Sequence, residues 1–311
     1  MGELEDRRCT AKKLGRLDMQ IEIMSINEET RTASFKAIPD PRRYDRVEID
    51  GKKLYLDRYL DLLVPFEDFA EQLAGLPVFS LSPRILSTPA YAGERKEAIG
   101  DSLAGKVMRR PSTAPAQHKE LPNVRHKRSL AFLSVDICSS TSLRLRDPDR
   151  FDKSADILIN ELKILAGQFN ATVLKPTGDG FIVYLDHPSF DCQCDNIVDL
   201  GVSMLRLTDQ AIRPALKAAS LPALNIRVGA DYGAASVQPK AIDDIGYKWT
   251  HVASNALNLA VKIEQSASPN TMRIGRDLYE LIHVQWLERT TPKGELKFDE
   301  IEAAYRIYEI S

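Results

Sequence analysis

FLSVDICSSTSL, residues 132–143, is the stretch on which the fold turns. It ends a nearly continuous apolar run over 129–137 that admits one carboxylate, Asp136. A run that is apolar on both faces is a buried central strand, and Asp136 stands at its end. A short polar loop, Cys138-Ser139-Ser140-Thr141-Ser142, follows. Downstream, residues 149–169 have helical spacing. Residues 171–175 and 181–185 are strands joined by a Pro-Thr-Gly-Asp-Gly turn. Residues 196–219 form a long helix, 224–231 and 234–238 a hairpin around Tyr232-Gly233, and 252–264 another helix. This order favours an α+β sandwich, an antiparallel-rich sheet with helices on one face, over a doubly wound parallel sheet.

Upstream, residues 109–128 read RRPSTAPAQHKELPNVRHKR, with Pro111, Pro115 and Pro122 among polar and basic side chains. Proline withholds backbone donors and restricts its neighbours, so this is an extended, solvated linker. Before it, MQIEIMSI and TASFKAI alternate as strands around an NEETR turn. Residues 46–56 are two short strands around Asp50-Gly51, and 59–76 predict a helix with Pro65 near its start. The chain therefore divides into a small α+β region (1–108), a linker (109–128) and a second domain (129–311). Nothing in 1–108 carries assignable chemistry; it is a candidate gating unit for a regulator the sequence does not identify.

The 311 residues are 43% apolar and 28% charged, which excludes a disordered or low-complexity chain. With 42 basic and 44 acidic side chains there is no electrostatic case for nucleic-acid binding. No apolar run is long enough to span a membrane, and no apolar signal core follows Met1, so a cytosolic location is expected. Cys9, Cys138, Cys192 and Cys194 are too few for a disulfide framework, and Cys192 and Cys194 too close for a zinc knuckle.

Two carboxylates stand out. Asp136 ends the buried strand, and Asp179 sits between Gly178 and Gly180 in the next turn. A strand-end carboxylate is costly to bury unless paired or bound to a cation. Two on neighbouring strand ends could share Mg²⁺, which takes one or two protein carboxylates and fills its other sites with water and phosphate oxygens. A turn aspartate and a loop-capping aspartate fit the residue types equally well.

Together, FLSVDICSSTSL, VLKPTGDGFIVYL, IRVGADYGAASV and VASNALNLAVKIE resemble, in order and spacing, the class III nucleotidyl cyclase catalytic domain, over nearly all of 129–311. The resemblance implies a ferredoxin-like fold. It also implies attack of a ribose 3′-hydroxyl on the α-phosphate of the same nucleoside triphosphate, giving a 3′,5′-cyclic nucleotide and pyrophosphate. It assigns two Mg²⁺ or Mn²⁺ ions per site to Asp136, Ile137 and Asp179, and phosphate contacts to the amides of 137–141, including Ser139, Ser140 and Thr141. Asn258 and Lys262, one helical turn apart, match the ribose-orienting asparagine and the arginine that faces the α-phosphate. Lysine in place of arginine is a point charge without a bidentate fork. Lys297, with Lys293 as the alternative, matches the triphosphate-binding lysine. The resemblance further implies a homodimer with active sites at its interface, the aspartates coming from one protomer and the Asn/Lys pair from the other.

For the base, Lys175 fits the adenylate-type pattern, four residues before Asp179. His251 stands where an aspartate is expected, so the acceptor for adenine's amino group is missing. Lys175 offers only donors and His251 can donate, which suits the carbonyl edge of a pyrimidine; a helix N-terminal histidine is the other reading of His251. The chain thus resembles the bacterial pyrimidine cyclases of Pycsar antiphage systems. An adenylate cyclase and a non-catalytic nucleotide-binding module are the competing readings.

Overall fold

The structure is a computed structural model describing residues 15–30, 32–73, 79–119, 121–122, 124–298 and 303–311. The chain divides into two units: residues 1–79 with 280–288, and residues 80–279 with 289–311. The division thus falls near residue 79 rather than at the proline-rich stretch.

The first unit holds strands β1 (Met19–Asn27), β2 (Thr32–Pro39), β3 (Tyr44–Ile49), β4 (Lys52–Asp57) and β5 (Leu62–Pro65), and helix α1 (Phe66–Leu73). β1 and β2 pair antiparallel, and β3-β4-β5 form a second antiparallel sheet. Asp50 and Gly51 both take positive φ between β3 and β4, as a two-residue primed turn requires. The helix expected over 59–76 is corrected: residues 62–65 join the sheet, and the helix begins after Pro65. Residues 74–76 lie outside the described residues. Phe69 packs edge-on against Tyr44, ring centroids 5.0 Å apart. Arg43 is fully buried and donates to Asp57 at 2.8 Å and Asp18 at 3.0 Å. The same Asp18 oxygen accepts the Val284 amide at 2.9 Å, which ties the 280–288 segment into this unit.

The second unit contains α2 (Thr88–Leu103), β6 (His126–Ile137), α3 (Ser140–Arg146), α4 (Pro148–Gln168), β7 (Thr172–Pro176), β8 (Phe181–Leu185) and α5 (Phe190–Leu207). There follow α6 (Arg213–Ala218), β9 (Ile226–Ile242), β10 (Tyr247–Ala253), α7 (Asn255–Ser266), β11 (Met272–Gly275), α8 (Arg276–Tyr279), β12 (Thr290–Phe298) and β13 (Ala303–Ile310). A further short helix, α9 (Val284–Leu287), belongs to the first unit. The sheet order is β12-β13-β11-β9-β6-β8-β7, with β10 on β9; among the described residues only β11–β9 is parallel. Helices cover both faces, not one. Phe132 and Leu130 on β6 meet Leu257 and Ala260 of α7, whereas Leu133, on the opposite face, meets Gly201 of α5.

Three expectations change here. Residues 224–238 are not a hairpin: β9 runs unbroken through Tyr232-Gly233, paired with β6 from His126 to Ile137. The long helix starts earlier, at Phe190, and is interrupted by a π turn over Thr208–Ile212 before continuing as α6 to Ala218, close to the expected end. The proline-rich stretch is bound to the unit. The Arg109 carbonyl accepts from Arg95, the Thr113 carbonyl from Gln168, and the Lys119 carbonyl from Tyr184 at 2.8 Å, while Leu121 enters the core. α2 is fastened by a buried bidentate pair, Arg95 to Glu161 of α4, both contacts 2.8 Å.

Candidate active site

β6 carries Asp136 to the end of the central strand, directly opposite Arg227 on β9. Arg227 donates to Asp136 Oδ2 at 2.7 Å and pairs through Nε with Glu264 Oε1 at 2.6 Å. Glu264 reaches this point because α7 lies flush on β9: a Cβ on Gly229 would fall 2.2 Å from the Glu264 amide nitrogen. Burial pushes the Asp136 carboxyl above its ordinary range; the Arg227 hydrogen bond pulls it back, and the charge of Asp179 pushes it up again. Glu264 is pushed up to about 7, first by burial and then by Asp136, against the pull of Arg227.

The Thr177-Gly178-Asp179-Gly180 turn lies directly on the β6 backbone. A Cβ on Gly180 would sit 2.2 Å from the Val135 carbonyl oxygen and 3.1 Å from the Asp136 Cα, so only glycine allows this approach. The Thr177 amide closes the turn on the Gly180 carbonyl at 3.0 Å. Asp179 is thereby set beside Asp136, with Oδ2 buried and lacking a hydrogen-bond partner. An orphaned buried carboxylate oxygen next to a second, desolvated carboxylate fits a divalent cation. Among the described residues no group of three or more His, Cys, Asp or Glu could hold a metal ion alone. The pair suits an ion that completes its shell with water and phosphate.

The loop after Asp136 is partly committed. Ile137 pairs with Ile226, and the Cys138 amide donates to the Asn225 carbonyl at 2.9 Å, so it does not face a phosphate as expected. Ser139 has φ 58°, and Ser140 and Thr141 open α3.

Lys175, Asn258 and Lys262 come together around a hollow of about 460 Å³ that Thr177, Ile182 and Gln265 also line. Ser254 caps α7 by accepting the Leu257 amide at 3.4 Å, and the i,i+4 spacing puts Asn258 and Lys262 on one helix face. The Lys262 ammonium lies 5.0 Å from the Phe298 ring centroid. Neither Asp136 nor Asp179 lines this hollow.

His251 is corrected from a helix N-terminal position. It lies exposed on β10, opposite Gln238, and lines neither the hollow nor the carboxylate pair. Lys297 is exposed on β12 opposite Ala304. It alternates with Leu296 and Phe298, which pack toward α7, so it leaves the opposite side of the strand. Lys293 pairs with Glu309 at 2.9 Å. Arg227 and Glu264 went unread in the sequence, because only the β6–β9 register and the α7 contact bring them to Asp136.

No protein-family model matches the chain, and no curated protein matches it by sequence. Solved structures do. The adenylyl cyclase CyaB from P. aeruginosa superposes with a TM-score of 0.53 at 19% identity, over 60% of this chain and 95% of that one. The guanylyl cyclase Cya2 gives 0.52 at 18% identity, over 60% and 93%. A class III adenylyl cyclase-like ATP-binding protein from Pseudomonas aeruginosa gives 0.50 at 15% identity, over 57% and 41%. With the central β6 strand, the glycine-framed aspartate turn and α7 packed across β9, these likenesses establish that the chain carries the class III nucleotidyl cyclase fold.

Proposed function

We propose that the second unit is a nucleotidyl cyclase, converting a nucleoside triphosphate into a 3′,5′-cyclic nucleotide and pyrophosphate. The observation that carries this reading is the seating of Asp179, with its orphaned oxygen, against the Asp136 strand. Asp136 and Asp179 would hold Mg²⁺ or Mn²⁺, two ions per site, with Ile137 beside them. When bound, the ions lower the pKa of the ribose 3′-hydroxyl and neutralise the triphosphate. The 3′-oxygen forms its bond to the α-phosphorus, the bond to the β-phosphate oxygen breaks, and the hydroxyl proton leaves to solvent.

Asn258 orients the ribose, and Lys262 sets a point charge at the α-phosphate. To reach that phosphate the ammonium leaves the Phe298 ring, a contact worth about 0.5–1 kcal/mol at an exposed site. Arg227 balances the Asp136 charge before substrate arrives. Ser139, Ser140 and Thr141 serve the triphosphate. Neither metal carboxylate lines the Lys175–Asn258–Lys262 hollow. This supports a homodimer in which each site joins the carboxylates of one protomer to the hollow of its partner, a self-complementary C2 arrangement.

Lys175 offers donors only, and an unmatched buried polar group on the base costs about 1–3 kcal/mol. This supports a pyrimidine, uracil above cytosine; antiphage signalling in the cytosol is the role proposed for the product, and adenylate cyclase is the alternative. Among the described residues no helix is long and apolar enough to cross a membrane. Incubating the pure protein with each nucleoside triphosphate and Mn²⁺, and resolving products by mass, tests the reading and identifies the base. A cyclic product from at least one triphosphate is expected; none from any would overturn it. A non-catalytic nucleotide-binding module is the second reading, favoured by the position of Lys262 over Phe298. Calorimetric binding of triphosphate without turnover would support it.

A further inference from the structure

Arg227, half-buried on β9, stands between the carboxylate pair and a third acid. Its Nη2 donates to Asp136 Oδ2 at 2.7 Å, and its Nε lies 2.6 Å from Glu264 Oε1. The two contacts differ in kind. The first is a hydrogen bond. In the second, both atoms are buried and neither has a hydrogen-bond partner, so the N–H does not point along the short contact. The other Glu264 oxygen is engaged, accepting from the Ser134 hydroxyl at 3.4 Å. Glu264 Oε1 is therefore a buried carboxylate oxygen with an open acceptor position, directly beside a guanidinium.

Charge decides what this arrangement does. Asp136 and Asp179 offer a divalent ion two negative charges, and Arg227 cancels one of them. It also takes up one of the two Asp136 oxygens. A guanidinium and a metal ion on the same oxygen would repel each other. We infer that Arg227 is a positioning residue that sets the metal affinity of the carboxylate pair, with Glu264 as the acid to which it withdraws. On releasing Asp136, the guanidinium turns toward Glu264 Oε1 and exchanges a misaligned ion pair for a charge-assisted hydrogen bond. A partly buried cation is thus never left without a counter-charge, which would be costly. Glu264 lowers the cost of freeing Asp136. This inference rests on the reading of Asp136 and Asp179 as metal ligands.

The probe is Mn²⁺ alone, titrated into the full chain at pH 8, with the free ion read by electron paramagnetic resonance. Arg227→Met should bind Mn²⁺ about tenfold tighter than wild type, the order set by removing one positive charge beside a divalent ion at a partly exposed site. Glu264→Gln should act in the opposite direction and weaken binding, because Arg227 then has Asp136 as its one anionic partner. Should Arg227→Met fail to fold by circular dichroism, Arg227→Met/Glu264→Gln removes both charges and carries the same expectation of tighter binding. Asp179→Asn should abolish uptake in every background, which ties the signal to this site. A merely structural role for Arg227 would weaken binding in both single variants and overturn the inference. Wild-type binding that depends on Asp179, with Arg227→Met no tighter, would overturn the inference alone and leave the metal reading standing. Glu264→Gln binding as tightly as wild type would overturn the withdrawal to Glu264. No Mn²⁺ uptake by wild type or any variant would overturn the metal reading and this inference together.

Discussion

Removing the charge of Glu264 should flatten the pH dependence of stability. The side chain is buried at the meeting of α7, β6 and β9, with its carboxyl pushed up to about 7 from an ordinary value of 4.5. The folded state thus holds this proton more tightly than the unfolded state does. The stabilisation is complete below about 4.5 and is lost as the pH rises through about 7. Moving a carboxyl over that range corresponds to about 3 kcal/mol. Glu264→Gln keeps the shape and cannot ionise, so about 3 kcal/mol of the fall in stability between pH 4.5 and pH 8 should disappear. Asp231, buried and likewise pushed up to about 7 by burial, contributes a similar slope that this variant retains. The assay is urea unfolding followed by circular dichroism at half-unit steps of pH, wild type against variant. If the two stability profiles run parallel across that window, Glu264 does not titrate as argued and the Arg227-centred network is misassigned.

Asp136→Asn should abolish cyclic nucleotide formation while leaving far-ultraviolet dichroism unchanged, because Arg227 can still donate to the amide oxygen; residual turnover above a tenth of wild type would contradict the metal assignment. Gly180→Ala should lower both melting temperature and activity, since its Cβ would meet the Val135 carbonyl oxygen at 2.2 Å and displace Asp179; normal activity would show that the turn tolerates displacement. Glu161→Ala leaves Arg95 buried and uncompensated, and breaking such a pair costs about 3–5 kcal/mol, to be read as a shift of the urea midpoint.

The sequence was informative where local chemistry and tertiary demand agree. The apolar run over β6 could only be a central strand, Asp50-Gly51 dictates its own turn, and Gly178, at positive φ, with Gly180, pressed on the β6 backbone, marks the turn that sets Asp179 beside Asp136. It misled where the tertiary context overrides the local signal. Gly233 resembles a turn residue, yet β6 supplies a partner on either side of it and Ala256 of α7 comes against it, so the strand continues. The helical period around Asn258 extends back to Val252 in the sequence, with His251 at its N-terminal edge, but Ser254 caps the helix and the preceding residues pair with β9. The proline-rich stretch lacks any period because its order comes from carbonyls accepting bonds from Arg95, Gln168 and Tyr184. Arg227 and Glu264 lie 37 positions apart, and neither neighbourhood announces the other.

The first unit is spliced from two lengths of chain, with residues 280–288 returned to it from between α8 and β12. Amputating everything before the cyclase-like portion would not cut away a self-contained module. It would strip Val284, Trp286 and Leu287, all buried, of the scaffold that Asp18 anchors, and leave a greasy stump on the remaining protein. A shortened protein meant to isolate the cyclase-like portion should also replace residues 280–288 with a short polar connector, or its behaviour will report clumping instead of regulation.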